Sequence, residues 1–197
     1  MDKYKKIIDY AKKHNGMITT KEINEIGVHR QYLSNLVDKG QLEHVERGVY
    51  IDINAFEDQM FNLQNRFKKG IYSHGTALYL HNLTDRTPIR LTMTFPTSYN
   101  ITNVKKKNIE VYRAKPDIYN LSLTRVLTNT GNSVLAYSME KTLCDIVRGY
   151  SSVEKDQIIT AFKMYAVRND KNLNELYKLA KLLKVESKIR AYMEVLL

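Results

Sequence analysis

The chain of 197 residues carries 31 Lys and Arg against 21 Asp and Glu, a formal charge of +10, with a single cysteine and no tryptophan. That length admits a small module followed by a larger domain, and no apolar run of about 18 residues is present, which excludes a membrane-spanning helix. The lone Cys144 excludes an internal disulfide and fits a reducing, cytoplasmic compartment, while the basic surplus favours a polyanionic partner.

The first ten residues, MDKYKKIIDY, are basic but hold no continuous apolar core and no small-residue cleavage site, so they are not read as a signal peptide. Tyr4, Ile7, Ile8 and Ala11 recur at helical spacing, which predicts a helix from Lys3 to His14 ended by Asn15-Gly16. Thr19 and Glu22 form a capping box at the start of a second helix, with Ile23 and Ile26 on its apolar side and Gly27 at its end. A third helix is expected from about Val28 to Lys39, closed by Gly40. Residues placed ~100° apart put Tyr32, Leu33, Leu36 and Val37 on one arc and Gln31, Ser34, Asn35 and Asp38 on the other, with Arg30 on the flank.

Two crossed helices of this kind describe a helix-turn-helix. Leu42 to Val45 and Val49 to Ile51, turned at Glu46-Arg47-Gly48, add a hairpin and make it a winged helix. Arg30, Gln31, Ser34 and Asn35 suit base edges: Arg grips guanine by two donors, and Gln or Asn pairs with adenine. Arg47 at the wing tip suits a phosphate or the minor groove. Two other readings of the same pattern stand beside this one. Winged helices also dock proteins, and polar residues on a helix are commonly no more than a solvated face.

Asn54 to Phe67, with Phe56, Met60, Leu63 and Phe67 on one stripe, is expected to be a helix linking two domains. The expected division is therefore a DNA-binding domain over 1–53, a linking helix over 54–70 and a second domain over 71–197. Residues 1–52 hold nine Lys or Arg and eight Asp or Glu, a net of +1, so the remaining +9 lies beyond them.

The second domain opens with a short helix at 72–81, capped by Ser73. Ile89 to Phe95 alternates cleanly, Ile89, Leu91, Met93 and Phe95 against Arg90, Thr92 and Thr94, and predicts a strand with one buried and one polar face. Ile109 to Ala114 follows the same rhythm, and Leu123–Thr128 with Ser133–Tyr137 reads as a hairpin. Four helices then follow: Met139 to Arg148, Glu154 to Arg168, Leu173 to Leu183 and Ser187 to Leu197. The fold class is α+β, an N-terminal winged helix followed by a mixed domain with a small sheet and C-terminal helices.

Few features suggest catalysis. His74 and His81, seven residues apart, share a helical face, but no further ligand lies near them in sequence and zinc sites usually need three or four. Core or capping histidines are the better reading. Asp85, Glu140 and Asp145 lack the acidic-x-Lys grouping of a metal-dependent nuclease, since Lys141 directly follows Glu140 and points to another face. Cys144 sits among Leu143, Ile146 and Val147 like a buried structural thiol. No catalytic residue, cofactor or metal is therefore expected. Lys105, Lys106 and Lys107 form the one dense basic run, expected in a loop between strands, and read either as a solvated loop or as phosphate contacts. Lys178, Lys181 and Lys188 alternate with leucines and read as the wet side of amphipathic helices.

Three segments carry a resemblance: the wing ending ERGVY, SHGTALYLHNLTDRTP at 73–88, and LAYSMEKTLCDIVRG at 135–149. Together they resemble the AbiEi antitoxin family, the regulators of type IV abortive-infection toxin–antitoxin systems in bacteria. The resemblance implies a two-domain repressor whose winged helix binds inverted repeats in the operon's promoter. It further implies a C-terminal domain that counteracts a nucleotidyltransferase-like toxin without forming a stable complex with it. Carried onto this chain, the DNA-reading positions would be Arg30, Gln31, Ser34 and Asn35, with Arg47 on the wing. Asp38 departs from an ideal DNA face. Two alternatives remain: a winged-helix regulator of another operon with a ligand- or partner-sensing second domain, and a nucleic-acid-processing enzyme.

Overall fold

The structure, a computed structural model, describes residues 2–14, 16–53 and 58–196. The expected stop at Asn15, the start of the linking helix with Phe56, and the terminal Leu197 lie outside the described residues. The chain divides into two compact units: residues 1–68 with 127–134, and residues 69–126 with 135–197.

In the first unit, helix α1 (Lys3–Lys13) is capped by Asp2, whose carboxylate accepts the Tyr4 amide at 3.0 Å. Strand β1 (Met17–Thr19) leads directly into α2 (Thr20–Glu25). The capping box is complete: the Thr19 amide donates to Glu22 Oε2 at 2.7 Å and the Glu22 amide to Thr19 Oγ1 at 3.2 Å. Helix α3 covers Gln31–Asp38. It begins three residues later than expected from the sequence, because Val28 is buried as a core plug and His29 Nδ1 accepts the Gln31 amide at 3.2 Å. Strands β2 (Leu42–Glu46) and β3 (Val49–Asp52) form the wing, and β1 completes an antiparallel sheet in the order β1-β3-β2. Ile7, Ala11, Ile18, Ile23, Leu33 and Leu36, each fully buried, make the centre of this core.

Helix α4 (Gln59–Arg66) also belongs to the first unit. Its cap, Asp58, is buried and receives the Phe61 amide on one oxygen at 2.9 Å. On the other oxygen it takes the hydroxyls of Thr128 and Thr130 and the Asn132 amide. Four donors on one buried carboxylate explain how the remote turn 127–134 is held in this unit, which a single continuous boundary does not anticipate.

The second unit starts with β4 (Ile71–Tyr72) and α5 (His74–Leu80). Next come β5 (Thr92–Pro96), α6 (Thr102–Lys105), β6 (Glu110–Ala114) and α7 (Pro116–Tyr119). The hairpin β7 (Leu123–Leu127) and β8 (Ser133–Tyr137) reaches the turn already described. Helices α8 (Met139–Ile146), α9 (Lys155–Ala166), α10 (Leu173–Leu182) and α11 (Glu186–Met193) end the chain. The five-stranded sheet runs β6-β5-β4-β8-β7, with β5 parallel to β6 and β4 parallel to β8. Helix α8 is buried from Glu140 to Ile146, its apolar residues packing with Leu78, Phe162, Tyr165, Leu176, Leu179 and Ile189.

Two expectations are corrected here. The strand begins at Thr92, and Ile89 is 99 % exposed in the bends that follow Pro88. Thr92 and Thr94 are buried like Met93 and Phe95, because that face of β5 is covered as well: Thr76 of α5 meets Thr92, and Thr94 lies in a cleft lined by residues of α8. The Thr94 hydroxyl is satisfied locally, donating to Ser73 Oγ, and Thr76 Oγ1 accepts the backbone amide of Thr92. Ser73, occupied in this way, makes no side-chain cap on α5.

Candidate nucleic-acid interface

Leu33 and Leu36, both fully buried, fix the rotation of α3 about its axis. Arg30, Gln31, Ser34 and Asp38 are left exposed, and Asn35 is half-buried. Asn35 is also oriented: its Nδ2 donates to the Tyr4 hydroxyl at 3.1 Å, and its Oδ1 accepts from Gln31 Nε2 at 3.4 Å. The same flank carries two cations not singled out from the sequence. Lys39 Nζ stands 3.9 Å over the Tyr4 ring and Lys3 Nζ 5.3 Å over Tyr32, and the two tyrosines meet edge-on at 5.1 Å. Tyr4 is one of two tyrosines in α1 and Tyr32 lies in α3, and pairing them requires the crossing of the two helices.

The wing is anchored at its turn. Gly48, at φ +77°, accepts the Thr20 amide through its carbonyl at 2.9 Å, and an added Cβ would stand 2.9 Å from Thr20 Oγ1. Only glycine fits this left-handed and crowded position. Arg47, the residue before it, is exposed. Glu46 at the base is paired with Arg66 of α4.

Lys105, Lys106 and Lys107 are exposed on the second unit. They do not form a loop: Lys105 closes α6, Lys106 is its C-cap and Lys107 follows in the turn. Cations there complement the negative end of the helix dipole. Lys188, expected on a wet face, donates to the Val147 carbonyl at 2.9 Å.

The two histidines have separate partners. His81 Nε2 donates to the Tyr137 carbonyl at 2.7 Å, while His74 stacks on Tyr112 with ring centres 3.7 Å apart. Burial holds both below the ordinary histidine range, His74 at about 4. Among the described residues, no group of three or more His, Cys, Asp or Glu is placed to hold a metal ion. Glu140 accepts the Tyr165 hydroxyl at 2.9 Å and the Asn172 amide at 3.2 Å, turned away from Lys141. Arg86 pairs with Glu154 and Asp156. Cys144 is buried, and that burial pushes its thiol up to about 12.

The second unit also contains a cleft of about 210 Å³. Lys141 and Asp145 of α8 and Arg148 just beyond its end line it together with His74, Tyr112 and Arg113. Sequence reasoning weighed Asp145 only as a nuclease acid. The signal for the pair was the i, i+4 spacing of Lys141 and Asp145, which places both side chains on one helical face, with Arg148 in the bend just past the helix end.

No helix among the described residues is long and apolar enough to cross a membrane. No curated protein matches the chain. Among solved structures, that of the RV2827C protein from Mycobacterium tuberculosis is similar, with a TM-score of 0.58 and 14 % identity over 98 % of this chain and 80 % of that one. This likeness is one of fold. The family model described as "Transcriptional regulator, AbiEi antitoxin" matches residues 5–51, which run from α1 through the wing. It is over this winged helix that the chain matches the AbiEi antitoxins, a family of transcriptional regulators.

Proposed function

We propose that the protein is the antitoxin of a type IV abortive-infection system, a phage defence, and that it represses its own operon from the cytoplasm. In this reading residues 1–53 bind inverted-repeat operator DNA, 54–70 link, and 71–197 counteract a nucleotidyltransferase-like toxin without a stable complex. The protein acts by binding and has no turnover of its own. The observation that carries the reading is the face at α3 where the exposed Arg30, Gln31 and Ser34 and the half-buried Asn35 lie opposite the buried Leu33 and Leu36. Arginine with two amides can read guanine and adenine edges in a major groove. Arg47 on the glycine-anchored wing reaches for phosphate or minor groove at the same time.

The experiment is a mobility shift with the purified protein and DNA from upstream of its own reading frame, with random DNA as competitor. Retardation that survives excess random DNA is expected. Equal retardation of both DNAs would remove operator reading from the account. Co-expression with the product of a neighbouring nucleotidyltransferase-like gene tests the second half, with restored growth as the expected result.

A further inference from the structure

We propose that the cleft between α8 and the β5–β6 edge of the second unit binds a nucleoside monophosphate, or an aromatic phosphate monoester of that size. The charge of the lining comes first. Lys141 and Arg148 contribute two cations and Asp145 one carboxylate, while Arg113, also in the lining, gives its guanidinium to the Thr97 carbonyl. That carboxylate is already shared, at 2.5 Å from Lys141 Nζ and 3.9 Å from Arg148. A surplus of one positive charge therefore faces the cavity, which favours an anionic ligand such as a phosphate monoester.

Burial gives the second argument. Lys141 is 1 % exposed, and its three donors face one carboxylate oxygen and the ring of Tyr137 at 4.3 Å. An ammonium withdrawn so far from water is expensive to keep for stability alone, since a well-packed apolar side chain does as well or better. A ligand anion supplies the missing acceptors. The backbone points the same way: buried His74 adopts φ 48°, a left-handed conformation rare for a residue with a Cβ, at the wall of this cleft.

The aromatic part follows from the rings. Tyr112 is fixed by its stack on His74, and its hydroxyl donates to Glu110 while accepting the Ser152 amide at 3.0 Å. Tyr150 lines the same cleft yet is 88 % exposed, a ring without a packing partner where a base can stack. The size limits the ligand. A cavity of about 210 Å³ takes a phosphate and the sugar next to it, but the internal phosphates of a duplex cannot approach an ammonium buried to 1 %.

Titration calorimetry on the full chain tests this with AMP, GMP, CMP and UMP, with inorganic phosphate, with adenosine and guanosine, and with a 5′-phosphorylated oligonucleotide. At least one monophosphate is expected to bind, and Arg148→Ala to weaken it by about tenfold or more, as the loss of a charge-assisted hydrogen bond implies. Arg148 is partly exposed, so this change leaves folding intact. Tyr150→Ala is expected to weaken the nucleotide and not phosphate, and Lys178→Ala neither. Phosphate or nucleoside binding as tightly as the nucleotide would overturn the assignment, as would tighter binding of the oligonucleotide, an unaffected Arg148→Ala, or silence from every probe. The result is independent of operator binding by the first unit: a protein that shifts its operator and ignores nucleotides loses only this inference.

Discussion

Lys141 and Asp145 form an ion pair one helical turn apart on α8, Nζ to Oδ2 2.5 Å, with side chains only 1 % and 6 % exposed. Each charge is tolerable only because the other is there. Lys141→Ala or Asp145→Ala leaves an uncompensated buried charge and is expected to cost ~3–5 kcal/mol of unfolding free energy. The double change Lys141→Met with Asp145→Leu is expected to cost less than either single one, because both desolvation penalties disappear together. Urea unfolding of the three variants measures this. Singles with wild-type midpoints would show that the pair is not buried in solution.

The histidine beside that pair makes stability depend on pH. Burial, with Lys141 and Arg148 adding to it against Asp145 and Glu110, lowers His74 to about 4. The unfolded chain takes up a proton at this position as pH falls below about 6.5, and the folded chain does so only near the lowered value. The folded state is therefore favoured in full above pH 6.5 and loses roughly 3 kcal/mol from this site on the way down to about pH 4. His74→Asn keeps a residue type that tolerates a left-handed backbone and removes the titration. Its stability profile is expected to be flatter than that of the wild type across that window. Parallel profiles would mean that His74 protonates as freely folded as unfolded.

What the sequence revealed and what it concealed divide by range. The Thr19–Glu22 box, the wing at Arg47-Gly48 and the four C-terminal helices rest on local chemistry, and each lies within a few residues of its expected place. Strand β1 was hidden because Met17, Ile18 and Thr19 are all buried, which leaves no alternation to read. The polar face expected of β5 vanished for a related reason: Thr92 and Thr94 are covered by neighbours distant in sequence. Arg30, Gln31, Ser34 and Asn35 could be grouped from helical spacing alone, whereas the link from Asn35 to Tyr4 joins two helices. The cleft was the least visible, since an i,i+4 Lys–Asp pair normally signals a wet helix face. Here that face is covered by residues distant in sequence, Thr94, Tyr112 and Tyr137 of the sheet, which line the same cleft.

At the operator, residues that read bases and residues that hold phosphate are expected to fail differently. Arg30→Ala should cost ~1–3 kcal/mol on the operator and relax preference at one base position. Arg47→Ala should weaken operator and random DNA alike. Both side chains are exposed, so neither change disturbs the core. Binding titrations against a set of single-base operator variants separate the two behaviours. Equal loss on all sequences for Arg30→Ala would make it a phosphate contact.

The charge distribution leads to the last expectation, that residues outside the winged helix contribute to nonspecific affinity. Residues 1–52 carry a net of only +1 and the rest of the chain +9. Affinity for DNA rises with the number of phosphates neutralised, and each contact adds about 0.9 to the slope of log affinity against log salt. Lys105, Lys106 and Lys107 are the densest exposed cations, and Val104, fully buried, anchors the short helix that presents them. Replacing all three with Ala should therefore leave the fold intact. It should weaken binding similarly on every sequence and flatten the salt slope by up to about three such contacts, with base preference unchanged. A variant with wild-type affinity and slope would show that this run faces solvent only. The exposed Lys178 and Lys181 of α10 would be next to test, ahead of Lys188, whose ammonium already donates to the Val147 carbonyl.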